Sequence, residues 1–364
     1  MERKLLIKII FFSIILIFTI IPIIATYMYI NNNYIIKIYS KETNYLEAMQ
    51  NTQIINDFNT VSEQQTIKDS NIPKSDLIYN YDKNVFQFHM PHPYAGFKSQ
   101  PSAKAIMKLA DSEQLITTNS LGHRSPDLGI KNNGTLRIAM IGGSTAFNGK
   151  TNNDTIIAKL VKLIEKGKNQ PVEFVNAAIV SANSEQELAV FVHELMDLNL
   201  DLLISFDGFN DYINAETSTA RVRWPSIQWN GIYYPYAPPL TVKKVTPKNV
   251  LPMSNAYITN LQKIAIISQA MNISYLAVLQ PINGYNNTIC NENINFPANG
   301  YYCLTERQYN EMEEIHLYNA TYISFASLLN GSYFSDIVHI SDEGNTFVAQ
   351  SLYDIINLRN LLKR

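Results

Sequence analysis

The sequence predicts an α/β fold, a three-layer α/β/α sandwich built on a mostly parallel sheet of about five strands. Three observations lead there. From residue 135 onward short apolar runs alternate with amphipathic stretches of helical length, the runs are apolar throughout, and no internal repeat interrupts the pattern. A strand apolar on both sides is buried on both faces, as in a parallel sheet with helices above and below it.

Taken in order, residues 136–141 form the first strand, followed by a helix over 154–166. Residues 172–179 are the next strand, 185–198 a helix, and 201–206 a third strand. A long aromatic insertion over 212–250 precedes a helix over 254–271 and a fourth strand over 273–279. A helix over 306–318, a short strand over 322–325 and a closing helix over 342–361 complete the alternation. Upstream, Pro91, Pro93, Gly96, Pro101, Gly122 and Pro126 punctuate a region of turns and short strands. Ligands of such sheets bind beyond the C-terminal ends of the strands, so the chemistry is sought there.

The chain has 364 residues, 46% of them hydrophobic, which is ample for one large domain with extensions. A formal net charge of −2 offers no polycationic surface, so no nucleic-acid partner is expected. Residues 9–30 carry no charge and are long enough to cross a bilayer as a helix. Arg3, Lys4 and Lys8 precede the segment and Asn31, Asn32 and Asn33 follow it, which places the short tail in the cytoplasm and the remainder outside. A cleaved signal peptide is the rival, although Ala25-Thr26-Tyr27 is a poor cleavage site. The expected organisation is a cytoplasmic tail and single-pass anchor over 1–30, a polar stalk over 31–85, and a domain over 86–364 with its core at 135–364. The two cysteines, Cys290 and Cys303, fall on the non-cytoplasmic side, where an oxidising compartment favours a disulfide over two separate thiols.

Three short segments carry the chemistry. Gly142-Gly143-Ser144-Thr145 follows the first core strand, Gly208-Phe209-Asn210-Asp211 follows the third, and Asp336-Ile337-Val338-His339 lies near the end. A nucleophilic serine needs a base within reach, and the base needs an orienting carboxylate; Asp-x-x-His supplies both from one loop. Asn210 can offer a side-chain N–H to a developing oxyanion.

With these segments in view, the sequence resembles the SGNH/GDSL hydrolases over roughly residues 136–361, with Thr118-Asn119-Ser120-Leu121-Gly122-His123-Arg124 similar to the lead-in of larger bacterial members. The resemblance implies a flavodoxin-like α/β/α sandwich and a serine esterase with no metal and no cofactor. It implies Ser144 as nucleophile, His339 as general base and acid, Asp336 as its orienter, and Asn210 as an oxyanion donor beside the Ser144 backbone N–H. Two departures stand out. The family's aspartate before the nucleophile is Gly143 here, and its second-block glycine aligns with Ser181. A serine keeps the backbone N–H of that oxyanion position, but is strained if the position needs positive φ.

The expected substrate is an O-acyl ester, with an O-acetylated envelope or extracellular glycan suggested by topology and family analogy. Acyl transfer to a sugar hydroxyl uses the same triad, and a degenerate, anchored binding module is the non-enzymatic reading raised by Ser181. A nucleotide-binding loop at residues 142–151 misses the required spacing by one residue and leaves Asp336 and His339 unused. Trp224, Trp229 and Arg223 lie in the aromatic insertion, where they suit either a sugar-binding face or the insertion's own small core. His89-x-x-His92 reads as a pair of surface-loop histidines rather than a metal site.

Overall fold

The computed structural model describes residues 78–80, 88–109, 112–211, 253–285, 312 and 315–362. The chain divides into two compact units, Met1–Asn71 and Ile72–Arg364. The first unit, with the expected anchor and most of the expected stalk, lies outside the described residues. So do the disulfide pair Cys290 and Cys303 and the insertion residues Arg223, Trp224 and Trp229. Among the described residues no helix is long and apolar enough to cross a membrane.

Two small sheets come first. Strands β1 (Ile78–Asn80), β4 (Lys104–Leu109) and β5 (Ser112–Thr117) form one, with β4 parallel to β1 and antiparallel to β5. Strands β2 (His89–His92) and β3 (Gly96–Ser99) form an antiparallel hairpin. Phe88, Ala105, Met107 and Ile116 from this region join one layer of the main core.

The main sheet is entirely parallel, with five strands in the order β10-β9-β8-β6-β7. Its members are β6 (Leu136–Gly142), β7 (Val172–Asn176), β8 (Leu202–Asp207), β9 (Ser274–Leu279) and β10 (Thr321–Ser324). All residues of β6 and β8 are buried, as continuous apolar runs require in a sheet covered on both faces. Alternate side chains feed different layers. Ile138, Met140, Leu202 and Ile204 enter one core, and Ala139, Ile141 and Leu203 enter the other. Burying each large aliphatic side chain contributes about 1.5–3 kcal/mol, which makes these layers the main source of stability.

The helices seal the two faces. After the single-turn α1 (Ser144–Phe147), α2 (Ile156–Lys168) presents Ile157, Leu160, Val161 and Ile164 to the first core. The closing helix, designated α5 (Asp342–Leu358), adds Val348, Ala349, Leu352 and Ile356 to the same layer. On the other face α3 (Ser184–Val190) and α4 (Met253–Ala270) bring Val190, Tyr257, Leu261 and Ile264. Local sequence marks their starts. Thr155 and Ser341 accept a backbone N–H as N-caps of α2 and α5, and Asn183 with Gln186 builds a capping box at α3.

Among the described residues the expected strands and helices are present with shifted ends, and the one expected over 185–198 differs in kind. The helix expected over 185–198 runs as α3, then a π turn at Phe191–Leu195, then a 3-10 turn at Met196–Leu198. The inserted residue keeps Phe191 and Leu195 both buried while Glu194 reaches Lys98, His92 and His123. The helix expected to reach residue 318 has ended before Ile315, since residues 315–317 carry no helix and Asn319 takes a positive φ of 54° on the way into β10.

The strand order places a switch point at β6. The chain steps from β6 to β7 on one side, then returns across β6 to build β8, β9 and β10 on the other. The connections that leave the C-terminal ends of the neighbouring strands β6 and β8 therefore run to opposite faces, the place where ligands of such sheets bind. Ser144 sits two residues past Gly142, the last residue of β6.

Candidate active site

The turn that carries Ser144 depends on two glycines without side chains. A Cβ on Gly142 would run into the Phe206 carbonyl of β8 and the Ala146 methyl, and one on Gly143 would run into Asn210 Nδ2. With no side chain at position 143, the Asn210 amide lies directly against the turn beside the nucleophile. Ser144 then opens α1, where its backbone N–H has no partner within so short a helix.

Three side chains from distant parts of the chain meet at this turn. Ser144 Oγ lies 2.9 Å from His339 Nε2, and His339 Nδ1 lies 2.6 Å from Asp336 Oδ2. The other carboxylate oxygen, Asp336 Oδ1, accepts the backbone N–H of Val338 at 2.8 Å and of His339 at 2.7 Å. Burial would raise the Asp336 carboxyl, but the His339 side chain and these two N–H groups outweigh it and hold the group below its ordinary value. An ionised carboxylate only accepts, so His339 Nδ1 carries its proton and the Nε2 lone pair faces the serine hydroxyl.

Ser181 and Asn210 border the same turn. Ile179 N–H donates to the Gly142 carbonyl at 3.0 Å, and Ala182 N–H closes a β-turn onto Ile179 at 2.9 Å. Ser181 is the third residue of that turn and adopts φ +66°, the positive value that this position of a type II turn requires. The strain foreseen for a non-glycine residue is therefore present, at roughly 1 kcal/mol. Asn210 Nδ2 donates to the Ala182 carbonyl at 2.7 Å, which leaves its second N–H for another acceptor. Next to it, Asp211 accepts the Ser184 N–H at 3.0 Å and the Ser184 hydroxyl at 2.5 Å. The three sequence blocks are thus joined by main-chain and amide hydrogen bonds around Ser144.

Behind Asn210 lies a group of buried carboxyls. Glu187 of α3 and Asp207 at the end of β8 are each 2% exposed, so an ionised pair would lack compensation. Asp207 Oδ1 accepts the Tyr257 hydroxyl at 2.6 Å. Burial first, then the neighbouring Asp207 charge, pushes Glu187 well up, and burial raises Asp207 as well. Asp211 is pushed up to about 7 by burial and by Asp207, against the opposing bonds from Ser184. Burial thus favours the protonated form in this pair.

Several expectations are altered here. His89 is buried on β2 and His92 is bonded to Glu194 at 3.0 Å, so neither is a surface-loop residue. The nucleotide-loop reading fails locally, because the helix after β6 begins at Ser144 and ends at Phe147, ahead of Gly149 and Lys150. Among the described residues no group of histidine, cysteine and acidic side chains is arranged to hold a metal ion. Arg124, an unexplained part of the lead-in segment, is fully buried and donates to the carbonyls of Phe147 at 2.7 Å and Gly149 at 2.6 Å. It anchors the far end of the nucleophile turn. Sequence reasoning missed it because a buried arginine has no pattern of its own.

No family model and no curated protein matches the chain. Among the solved structures it resembles are GDSL-like lipases and an acetylxylan esterase. A GDSL-like lipase from Bacteroides thetaiotaomicron is 12% identical with a TM-score of 0.41, over 64% of this chain and 92% of that one. An acetylxylan esterase from Geobacillus stearothermophilus is 13% identical with a TM-score of 0.38, over 63% of this chain and 96% of that one.

The carboxyl pair generates a prediction for stability against pH. Glu187 is raised above its ordinary 4.5, so the folded chain keeps a proton that the unfolded chain has released. Its contribution is fully present below pH 4.5 and is lost as pH rises toward the folded value. Glu187→Gln supplies a permanent N–H donor to Asp207 without a titration. The variant's urea midpoint should gain on the wild type as pH rises from about 5 to 8, the range above the ordinary carboxylate value. Two midpoint curves running parallel over that range would contradict the raised Glu187 carboxyl. Groups common to both proteins, such as the buried His123, cancel in this difference.

Proposed function

We propose that this protein is a serine ester hydrolase of the SGNH/GDSL type. The observation that carries the reading is the unbroken line from Asp336 Oδ2 through His339 to Ser144 Oγ, at 2.6 Å and 2.9 Å. In the first half-reaction Ser144 Oγ attacks the acyl carbon while His339 Nε2 takes its proton. Asp336 stays ionised and stabilises the imidazolium through Nδ1–H. The carbonyl oxygen becomes an oxyanion, to be met by the Ser144 and Ser181 backbone N–H groups and by Asn210 Nδ2. Collapse breaks the ester C–O bond, and His339 returns the proton to the departing alkoxide. Water then attacks the acyl-enzyme with His339 again as base, releasing the carboxylic acid and restoring Ser144. Every proton taken by His339 is given back within its half-reaction, so the cycle calls for no cofactor.

On substrate and location the support is sequence alone. An O-acetyl group on an extracytoplasmic glycan suits the family resemblance together with a single-pass anchor at residues 9–30, whose flanking charges put the domain outside the cytoplasm. A sugar hydroxyl in place of water at the second step would make the same cycle an acyl transfer. Trp224, Trp229 and Arg223 are the sequence's candidates for holding such a sugar.

Ser144→Ala and His339→Ala should each abolish turnover of p-nitrophenyl acetate while leaving the circular dichroism spectrum unchanged. Wild-type activity in either variant would remove the triad. Asp336→Asn should lose about four orders of magnitude. The two backbone N–H groups bind the amide oxygen, which turns the amide N–H toward His339 Nδ1 and forces the wrong tautomer.

The oxyanion residues give a separate expectation. Ser181→Gly keeps the backbone donor and relieves the positive φ, so kcat should stay the same or rise. Asn210→Ala should cost about 10²–10³ in kcat, as removal of one such donor does elsewhere. An inactive wild type that Ser181→Gly awakens would favour the degenerate binding module instead.

A further inference from the structure

The Ser144 hydroxyl and the His339 ring stand on segments nearly two hundred residues apart, and the triad's geometry depends on the distance between them. The Asp336–His339 contact holds itself, because both residues share one turn and Asp336 closes it through the Val338 and His339 N–H groups. The Ser144–His339 contact has no such internal support. Something must dock the histidine turn against the nucleophile turn.

The carbonyls on either side of His339 show what does. Thr145 Oγ1 donates to the Val338 carbonyl at 3.2 Å, and Asn148 Nδ2 donates to the Ile340 carbonyl at 2.6 Å. Thr145 follows the nucleophile directly, and Asn148 is the residue that ends its helix. Both are buried, at 1% and 4% exposure, so these bonds are not exchanged with water. Each side chain is itself oriented. Gln280 Nε2 donates to Thr145 Oγ1 at 3.1 Å, which turns the threonine proton toward Val338. Gln114 Nε2 donates to Asn148 Oδ1, which fixes the amide so that its nitrogen faces Ile340. Arg124 in turn donates to Gln114 Oε1 at 2.9 Å. The remaining carbonyls of the turn are also occupied, with Ile337 accepting Asn283 N–H at 2.9 Å and His339 accepting Ser335 N–H at 2.8 Å.

We infer that Thr145 and Asn148 are positioning residues that clamp the histidine turn onto the nucleophile turn, setting the Ser144–His339 distance from both sides of the ring. The inference rests on the triad reading above. Neither side chain touches the reacting atoms. Their removal lets the Asp336–His339 unit shift as a body, so the base stays oriented as before but stands off from the hydroxyl. Misplacement by about 1 Å can cost about a hundredfold in rate while leaving substrate binding alone.

The test compares Thr145→Val, Thr145→Ser and Asn148→Leu in the full chain with p-nitrophenyl acetate. Thr145→Val should lower kcat about tenfold or more with KM within about twofold, and Thr145→Ser, which keeps the hydroxyl, should stay within about threefold of wild type. Asn148→Leu should resemble Thr145→Val; if it does not fold, the threonine pair decides. A Thr145→Val enzyme with wild-type kcat overturns the inference, and so does a Thr145→Ser enzyme as slow as Thr145→Val, since the methyl rather than the hydroxyl would then matter. A crystal structure of Thr145→Val provides an arm that needs no activity. The clamp requires a lengthened Ser144 Oγ–His339 Nε2 separation with the His339–Asp336 bond retained, and an unchanged separation contradicts it. Failure of the esterase reading would show differently, as wild-type turnover no higher than that of Ser144→Ala.

Discussion

Burial of β6 on both faces is the constraint from which the site follows. Every residue of that strand is inside, flanked by β7 and β8 and covered by helices above and below. No polar side chain can work along its length without losing water. Chemistry is therefore confined to its C-terminal end, where the connections leaving β6 and its neighbour β8 run to opposite faces. Gly142, which ends the strand, and Gly143 after it allow the backbone of β8 and the Asn210 amide to close in. Ser144 is then presented two residues past the strand.

The polar groups crowded at that end are costly unless each finds a partner, and the structure answers this in two ways. Around the nucleophile, side-chain donors are matched to backbone carbonyls: Arg124 to Phe147 and Gly149, Thr145 to Val338, Asn148 to Ile340, Asn210 to Ala182. Deleting one member of such a pair strands the other in a dry environment, at about 1–3 kcal/mol. Behind Asn210 the same problem is met differently, with burial raising Glu187 and Asp207 so that the protonated form is favoured. Asp336 behaves oppositely. Partly exposed and surrounded by donors, it is held below its ordinary value, and the ionised state is the one its partnership with His339 needs.

Much of this was legible in the sequence, and the reasons are local. The apolar strands announce themselves because both of their faces are buried, Ser144 and Asn210 fall just past strand ends, and Asp336 and His339 share one short recognisable block. Ser181 was legible as a strained substitution, and the +66° angle bears this out. Other features have no local signature. Arg124 and Glu187 look like ordinary charged surface residues until the fold buries them. Thr145 and Asn148 make their telling bonds to backbone carbonyls almost two hundred residues away, and a backbone carbonyl leaves no mark on a sequence. The π turn at Phe191–Leu195 was read as plain helix because its apolar spacing nearly matches one. Its cause is a tertiary demand, the pull of Lys98, His92 and His123 on Glu194.

The central claim is that Ser144 is a nucleophile activated by His339. Treatment of the full chain with a fluorophosphonate, followed by peptide mass spectrometry, tests it without any assumption about substrate. The account requires one adduct per chain, on Ser144, with labelling of the His339→Ala protein slowed by orders of magnitude. An unlabelled wild type, a label on another serine, or equal labelling of both proteins would contradict it.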